Sequence, residues 1–322
     1  MKPSLIRACL AAAALALAGS ALAQPWPSRP VRLVVNFPPG GAADVIARTV
    51  AVPLGESLGQ TVLIENRPGA GGNIGADAVA KSTADGYTLL VSSGGTISIN
   101  PHLYAKMPFD PAKDLQPVAA AARILVFLVM RPDLPPKDIG EFIVYVRANP
   151  GRLSYGSPGN GSSPHLAGEM FKSAAQLYAT HIPYRGAAPA LTDLLGGQID
   201  FMFDPGIGLT HVRNGKLRLL AVGSPRRSPL FPDVPTLAEA GLKDFDADSV
   251  FGFYAPSGVP QEIITRLNRE INRALQTPAV RERITALGGD VLQLTPVEFA
   301  DRQKIDGARF GVIVRERKIS GD

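Results

Sequence analysis

Three glycine-rich stretches each follow an apolar run in this chain, and each presents unobstructed backbone N–H groups. They are Phe37–Ala42, Pro68–Gly75 and Ser157–Ser163. A helical pattern begins close to the end of each one, and the first N–H groups of a helix lack partners within the helix and lie at the positive end of its dipole. Such donors bind an anion without help from lysine or arginine. The stretches therefore favour a small carboxylate as ligand, although Pro and Gly also mark ordinary strand–helix turns.

The same stretches lack the other residues that define a nucleotide-binding motif. Gly40 and Gly41 are not followed by the Lys-Ser/Thr pair of a P-loop. In the run Gly69–Gly75 the last glycine stands one residue too late for the dinucleotide fingerprint. A nucleotide is therefore a poor candidate.

Polar side chains next to these stretches have two interpretations each. Asp44 falls in the first turn of a predicted helix, where its charge suits the dipole and where it could bond loop N–H groups. Ser162 and Ser163 could donate to a ligand or cap the next helix, and capping is expected for at least one of them. His165 could contact the ligand or hold the loop. Asp204, at the carboxyl end of a predicted strand, is either a cleft residue or a turn residue before proline.

From these observations, and from the resemblance given below, we predict one ligand site and no catalytic residue. The predicted ligand-binding residues are Phe37, Pro38, Gly40, Gly41, Ala42, Asp44, Ala70, Asn73, Ser92, Gly159, Gly161, Ser162, Ser163, His165 and Asp204.

Signatures of metal or nucleophilic chemistry are weak. The four histidines (His102, His165, His181, His211) are scattered without H-x-H or H-E-x-x-H spacing, so we expect no metal and no cofactor. The sole cysteine, Cys9, lies in the N-terminal segment. The string Gly55–Gly59 reads G-x-S-x-G, but it falls where a helix ends and not at a strand-to-helix turn, so we interpret it as a coincidence.

Composition and charge are those of a globular protein that does not bind nucleic acid. The 322 residues are 45% hydrophobic and 19% charged, which suffices for two domains. The net charge of +5 is spread along the chain, whereas nucleic-acid binding requires a clustered basic stripe. Residues 1–23 combine Lys2 and Arg7 with an Ala/Leu run and the small-residue end Ala21-Leu22-Ala23, which predicts a signal peptide cleaved after Ala23.

Apolar runs and amphipathic patterns alternate along the rest of the chain. We predict strands at Val31–Asn36, Thr61–Glu65, Tyr87–Ser92, Leu153–Ser157, Thr180–Ile182, Ile199–Phe203, Leu217–Gly223 and Val250–Ala255, with Val118–Arg131 as a strand that passes into a crossover. We predict helices at Ala43–Leu58, Asn73–Ser82, Ile139–Ala148, Pro164–Ala175, Pro189–Leu195, Gln261–Leu275, Ala279–Leu287 and Pro296–Arg317. This order indicates parallel sheets covered by helices. Leu33–Arg48 and Leu153–Phe171 both contain a strand, a glycine-rich corner and a helix, which favours two similar lobes with a cleft between them.

Several longer strings support a family resemblance. WPSRPVRLVVNFPPGGAADVIAR, IENRPGAGGNIGADAVAKSTADGYTLL, YGSPGNGSSPHLAGEMF, IPYRGAAPALTDLLGGQIDFMFD and VPTLAEAGL occur in this order and resemble the substrate-binding proteins of the tripartite tricarboxylate transporters, the Bug family. The resemblance extends from Trp26 to the C-terminus. One departure is visible, because family members often carry Thr or Ser shortly before the first aspartate, where this chain has Ala42-Ala43.

The resemblance implies an α/β fold of the periplasmic binding protein type II, with two α/β domains that close over a carboxylated ligand. It implies that the loops Phe37–Ala42 and Ser157–Ser163 grip the carboxylate through main-chain N–H groups and bridging waters, with Pro68–Asn73 and Asp204 nearby. We expect domain 1 to comprise residues 24–123 and 248–322, and domain 2 residues 124–247. A periplasmic location, an inner-membrane permease complex as partner and a monomeric state are also expected.

The expected function is capture of a small organic, amino or aromatic acid for uptake. Two alternatives remain at this point, a sensory protein that presents its ligand to a receptor and, less favoured, an enzyme that acts on a carboxylate. The identity of the acid depends on pocket size and on contacts with its far end.

Overall fold

The computed structural model describes residues 26–319, so the predicted signal peptide lies outside the described residues. In chain order the strands are β1 (Val31–Val35), β2 (Val62–Asn66), β3 (Thr88–Ser92), β4 (Leu115–Ile124), β5 (Phe127–Met130), β6 (Ser154–Ser157), β7 (Thr180–Pro183), β8 (Phe201–Asp204), β9 (Arg218–Val222), β10 (Ser249–Pro256) and β11 (Gly289–Val291). The helices are α1 (Ala42–Leu58), α2 (Asn73–Ala80), α3 (Asn100–Leu103), α4 (Pro111–Asp114), α5 (Ile139–Ala148), α6 (Ser163–Ala174), α7 (Ala187–Leu195), α8 (Leu209–Arg213), α9 (Gln261–Leu275), α10 (Pro278–Ala286) and α11 (Pro296–Glu316).

The first lobe is built on a six-stranded sheet in the order β11-β4-β10-β3-β1-β2. Helices α1, α9 and α10 cover one face, and α2 and α11 pack on the other. Along α1 the buried side chains Ile46, Val50 and Leu54 repeat at helical spacing, and each contributes about 1.5–3 kcal/mol through burial. The helix ends at Gly59, which has the left-handed conformation typical of a C-terminal cap. The G-x-S-x-G string is thus the last turn of a helix.

The second lobe is built on a five-stranded sheet in the order β7-β6-β8-β5-β9. Helices α5 and α6 cover one face with a cluster of stacked aromatic rings that includes Phe142, Phe171 and Phe201. Helices α7 and α8 cover the other face. The loops after β6 and β8 face the loops after β1 and β3, since Pro158 and Pro205 line the same space as Phe37 and Ser93.

The sheets are mixed, which corrects the prediction of parallel sheets. Strand β1 pairs in parallel with β2 and β3, and β6 in parallel with β7 and β8. Strand β10, however, runs antiparallel to β3 and β4, while β5 runs antiparallel to β8 and β9. The reason is that β4 and β10 belong to the segments that leave and re-enter the first lobe, so β10 returns in the opposite direction.

The last helix, α11, contacts both lobes. Near its start, the ring of Phe299 lies 5.3 Å from that of Tyr254 in the first lobe. Toward its end, Phe310 and Val314 pack in the aromatic cluster of the second lobe, and Arg317 Nη1 donates to the Met170 carbonyl oxygen over 2.9 Å. Helix α11, which we assigned to domain 1, thus also packs on the second lobe. The domain limits at residues 124 and 248 stay a prediction. No helix among residues 26–319 is long and apolar enough to cross a bilayer.

Candidate functional site

A cavity of about 40 Å³ lies between the two lobes, where the loops after their central strands face each other. From the first lobe it is lined by Phe37, Pro38, Gly41, Ala42, Ala43, Ser93 and Phe251. From the second lobe it is lined by Pro158, Ser162, Ser163, Pro164, Ala187 and Pro205. Among residues 26–319, no acidic side chain lines the cavity, so no carboxylate on its walls repels an anion.

The N-terminus of α1 forms one wall of this cavity. Its first residue follows Gly41, which has an extended backbone and no side chain to cap the helix. Asp44 stabilises the loop before the helix. Its carboxylate accepts hydrogen bonds from Gly40 N, Arg48 Nε and Asn66 Nδ2. Burial raises the pKa of Asp44, but these hydrogen bonds outweigh burial and hold it below its usual value. The carboxylate is therefore ionised, and its hydrogen bonds stabilise the loop that precedes α1.

The N-terminus of α6 forms the opposite wall. Ser162 caps this helix, since its Oγ accepts from His165 N at 3.3 Å and donates to the Gly159 carbonyl oxygen at 2.7 Å. The Nδ1 atom of His165 accepts from Gly161 N at 3.3 Å. Ser162 and His165 thus fold the loop so that the start of α6 faces the cavity.

His165 is held in turn by a second histidine. Its ring stacks on that of His181 with a centroid distance of 4.4 Å, and His181 Nε2 lies 2.7 Å from Ser157 Oγ. Burial lowers the pKa of His165 to about 4, and the nearby Glu169 charge opposes this shift. Burial also lowers the pKa of His181 to about 3. Both rings are neutral at pH 7 and serve as hydrogen-bonding supports of the loop.

Ser93 lines the cavity, and its hydroxyl group makes no hydrogen bond within the described chain. The residue is 6% exposed, and its Oγ atom has no hydrogen-bond partner within residues 26–319. Its neighbour Ser92 was the predicted ligand residue, but Ser92 Oγ donates to the Ser93 carbonyl oxygen and accepts from Asn36 Nδ2. Ser93 is therefore the serine of this pair that faces the cavity.

Asp204 ends β8 beside the cavity residue Pro205. Its Oδ2 atom accepts from Gly206 N at 3.0 Å and from Gly208 N at 2.9 Å, which fixes the turn after the strand. Burial raises the pKa of Asp204 to about 7, against the opposing effect of these N–H donors. The Oδ1 atom is buried and makes no hydrogen bond to any described residue.

Comparisons with known proteins decide the family. Residues 46–319 match the model of the tripartite tricarboxylate transporter family receptor. The chain belongs to this receptor family. Protein BugT of Bordetella pertussis is 41% identical over 303 residues, with 93% of each chain covered. The resemblance predicted from the motifs is thus confirmed.

Solved structures of similar proteins confirm the fold class. A Rhodopseudomonas palustris protein, Rpa4515 with adipate, is 35% identical with a TM-score of 0.88, and 92% of this chain and 99% of that chain are covered. MatC from the same organism, with bound malate, is 36% identical with a TM-score of 0.86, and 90% of this chain and 100% of that chain are covered. The receptor has the two-lobed α/β fold of periplasmic binding proteins.

The receptor brings six of the predicted residues together at the cavity. They are Phe37, Pro38, Gly41, Ala42, Ser162 and Ser163. Ala70 and Gly159 line a neighbouring groove. Gly40, Asp44, Asn73, Ser92, Gly161, His165 and Asp204 line neither space. Of these, Asn73 Oδ1 accepts from Asn100 Nδ2 at 2.8 Å, so it fixes the loop before α2.

Other cavity residues of the receptor were missed by sequence reasoning. They are Ala43, Ser93, Pro158, Pro164, Ala187, Pro205 and Phe251. Ala43, Ser93, Pro158, Pro164 and Pro205 are sequence neighbours of predicted residues, so the predicted loops could have been extended to include them. Ala187 and Phe251 lie outside the glycine-rich stretches, and no nearby motif in the sequence indicates that they line a cavity. Within residues 26–319 no group of three metal-ligating side chains comes together.

Proposed function

We propose that this receptor binds a small carboxylic acid between its lobes in the periplasm and delivers it to an inner-membrane permease. One observation supports the proposal above the others. Two helices of different lobes, α1 and α6, start at the same cavity. The cavity is also lined by Ser93, whose buried hydroxyl has no hydrogen-bond partner within residues 26–319. This arrangement supplies hydrogen-bond donors from both lobes to one small acceptor group.

A carboxylate suits these donors for physical reasons. Hydrogen bonds from N–H and O–H groups to an ionised oxygen are stronger than those between neutral groups. The N–H groups at the starts of α1 and α6 lie at helix N-termini, where the dipole adds a favourable potential for an anion. Because the donors come from both lobes, a bound carboxylate stabilises the closed arrangement over the open one, which is the behaviour expected of a two-lobed binding protein.

The structural relatives support a shared head group rather than one shared ligand. Adipate and malate differ in length and in hydroxylation, and both are dicarboxylates. A site that grips one carboxylate and leaves the rest of the molecule to variable contacts accommodates both. The predicted signal peptide and the receptor family together support a periplasmic location and a permease partner.

A thermal-shift screen tests the proposal. The mature protein is heated with a panel of mono-, di- and tricarboxylic acids, amino acids and aromatic acids, each at millimolar concentration. An acid present at 100 times its Kd stabilises the folded state by about 2.7 kcal/mol, which raises Tm by several degrees. The matched control for each acid is its uncharged amide, which we expect to have no effect. The proposal fails if no acid raises Tm, or if the amides do so equally.

A further inference from the structure

In the described chain, two segments connect the sheets of the two lobes, and they lie side by side. Residues 125–126 lead from β4 of the first lobe to β5 of the second, and residues 246–248 lead back into β10. Gly223 N donates to the Val126 carbonyl oxygen at 2.7 Å, and Ala247 N donates to the Gly223 carbonyl oxygen at 2.9 Å. When two lobes move as rigid bodies, a few residues of this kind absorb the change in φ and ψ. We call the two connecting segments the hinge.

The side chain of Asp248 joins the hinge to both lobes. It is 1% exposed and forms an ion pair with Arg123, which lies near the end of β4 in the first lobe. Its Oδ1 atom accepts a hydrogen bond from Ser224 Oγ, just after β9 in the second lobe. Because a buried carboxylate that loses its partner is strongly destabilising, these two contacts favour one conformation of the hinge.

Arg309 of α11 contacts the backbone of the same segment. Its Nη1 atom donates to the Asp246 carbonyl oxygen at 3.0 Å, and its Nη2 atom donates to that of Asp248 at 3.4 Å. The guanidinium also forms an ion pair with the Asp246 carboxylate. On α11 itself, the buried carboxylate of Asp306 pairs with Arg309 at 3.3 Å and with Arg302 at 3.0 Å. Asp306 therefore fixes the direction in which the Arg309 guanidinium points.

Helix α11 also packs on the segment where the lobes approach each other. A Cβ atom at Gly311 would lie 2.8 Å from His102 Cε1, so the helix lies close to α3. The first residue of α3, Asn100, is the one that Gly161 of the second lobe approaches. Farther along, Phe310 packs in the aromatic cluster of the second lobe. A single helix thus contacts the hinge, the first-lobe side of this approach and the second lobe.

We propose that Arg309 is a positioning residue that controls the arrangement of the lobes, and thereby the affinity for a ligand that it does not touch. Arg309 lines neither the cavity nor the neighbouring groove. Its hydrogen bonds to the hinge are made in the arrangement of the lobes seen here, so they stabilise this arrangement over others. The effect on affinity rests on the proposed function, because it takes the ligand to bind between the lobes. The effect on the lobes does not.

A purely structural role of Arg309 is the alternative. The guanidinium lies over the Phe310 ring, 4.3 Å from its centroid, and it satisfies two carbonyl oxygens, so it contributes to the free energy of unfolding in either case. Under the alternative, the lobes keep the same arrangement when the guanidinium is removed. The lobe arrangement and the affinity, and not Tm, therefore distinguish the two roles.

Distances between the lobes measure the first effect without any ligand. The sole cysteine of the sequence, Cys9, lies in the predicted signal peptide, so one spin label can be attached to each lobe of the mature protein. Val52→Cys on α1 and Val144→Cys on α5 are suitable, since these residues are 66% and 65% exposed. Double electron–electron resonance then compares the labelled protein with and without Arg309→Gln. We expect Arg309→Gln to broaden the distribution of distances and to shift its maximum.

Titration calorimetry measures the second effect, with the acid that raises Tm most in the thermal-shift screen. Arg309→Gln should weaken its binding about tenfold, which is within the range typical of coupling between separate sites. The matched control is Lys304→Gln, which removes a cation of α11 that pairs with Asp301 on the same helix, and it should change neither distances nor affinity. Ser224→Ala removes one contact of Asp248 and should act in the same direction as Arg309→Gln, by less. It provides the test if Arg309→Gln does not fold.

The outcomes separate this role of Arg309 from the proposed function. If Arg309→Gln lowers Tm but keeps the distances and the affinity of the wild type, Arg309 is structural only and the proposal is overturned. If the distances shift and the affinity does not, the link between the lobe arrangement and binding is refuted. If the distances shift while no acid binds the wild type, carboxylate capture fails and the control of the lobes by Arg309 stands.

Discussion

Gly161 of the second lobe lies so close to Asn100 of the first that a Cβ atom at position 161 would stand 2.0 Å from Asn100 Oδ1. The same junction contains two more close approaches. A Cβ at Gly71 would lie 2.5 Å from the Asn160 carbonyl oxygen, and one at Gly95 would lie 2.7 Å from that of Gly161. The lobes therefore approach each other here through residues that lack side chains, and this arrangement of the lobes depends on them.

Gly161→Ala is expected to oppose closure of the lobes. Its methyl group would overlap Asn100 Oδ1 in the arrangement of the lobes seen here. We expect this overlap to favour an arrangement with the lobes further apart, so that affinity for a carboxylate falls about tenfold or more. Calorimetry measures the affinity, and small-angle scattering should show a larger radius of gyration in the presence of ligand than the wild type has.

A control for Gly161→Ala separates closure from backbone strain. Gly161 has φ +82°, and a left-handed alanine costs about 1–2 kcal/mol in folding free energy by itself. Gly197 has φ +72°, and a Cβ placed on it has no neighbour within 4 Å. Gly197→Ala should therefore lose similar stability and keep full affinity. Equal affinities of the two alanine variants would contradict the closure mechanism.

Ser93→Ala and Ser92→Ala form a matched pair with opposite expected results. Ser93 Oγ has no partner in the described chain, so its removal should leave Tm unchanged and should weaken carboxylate binding by about 1 kcal/mol, or about fivefold. Ser92 Oγ bonds Asn36 and the Ser93 carbonyl, so its removal should lower stability by about 1–2 kcal/mol. Calorimetry and denaturant titration measure the two effects. Loss of stability in Ser93→Ala would show that its hydroxyl has a structural partner.

Gly41→Val is expected to weaken binding strongly without unfolding the protein. Gly41 has φ −79° and ψ 167°, which any residue adopts, and a Cβ there would meet only the Pro38 carbonyl oxygen, at 3.7 Å. The backbone and a Cβ atom at this position therefore fit the folded state, and we expect the methyl groups of valine to extend into the cavity of about 40 Å³. Unchanged affinity in titration calorimetry, with unchanged Tm, would show that the start of α1 is not part of the binding site.

The elements of the fold were largely predictable because their signals are local. Helices Ile139–Ala148 and Gln261–Leu275 were predicted with the bounds that the structure has. The first has an N-cap, Asp138, whose side chain accepts from Glu141 N, and both have apolar residues at helical spacing. Short elements such as α3, α4, α8 and β11 were missed, because three to five residues are too few to show a repeat of apolar positions.

Long-range pairing and side-chain direction were not predictable in the same way. All five residues of β3 are buried, so no alternation of buried and exposed side chains indicates whether Ser92 or Ser93 faces the cleft. Ser92 ends the strand, whereas Ser93 follows it and lines the cavity. Phe251 reaches the cavity only because β10 returns beside β3 and β4. The glycine-rich corners were found because their composition is itself the signal for exposed N–H donors.

The last prediction concerns pH and Asp204, whose pKa burial raises to about 7 from a usual value of 3.8. Between these values the folded state holds a proton that the unfolded chain has lost, so this residue makes stability fall as pH rises from about 4 to 7. Asp204→Asn keeps an oxygen for Gly206 N and Gly208 N but cannot ionise. The variant should therefore gain stability over the wild type, by a few kcal/mol at most, as pH rises from 5 to 8. Denaturant titrations at both pH values give the difference between the two proteins, in which contributions from other groups such as Asp248 and His181 cancel. A difference that stays constant with pH would show that Asp204 is already ionised at pH 5.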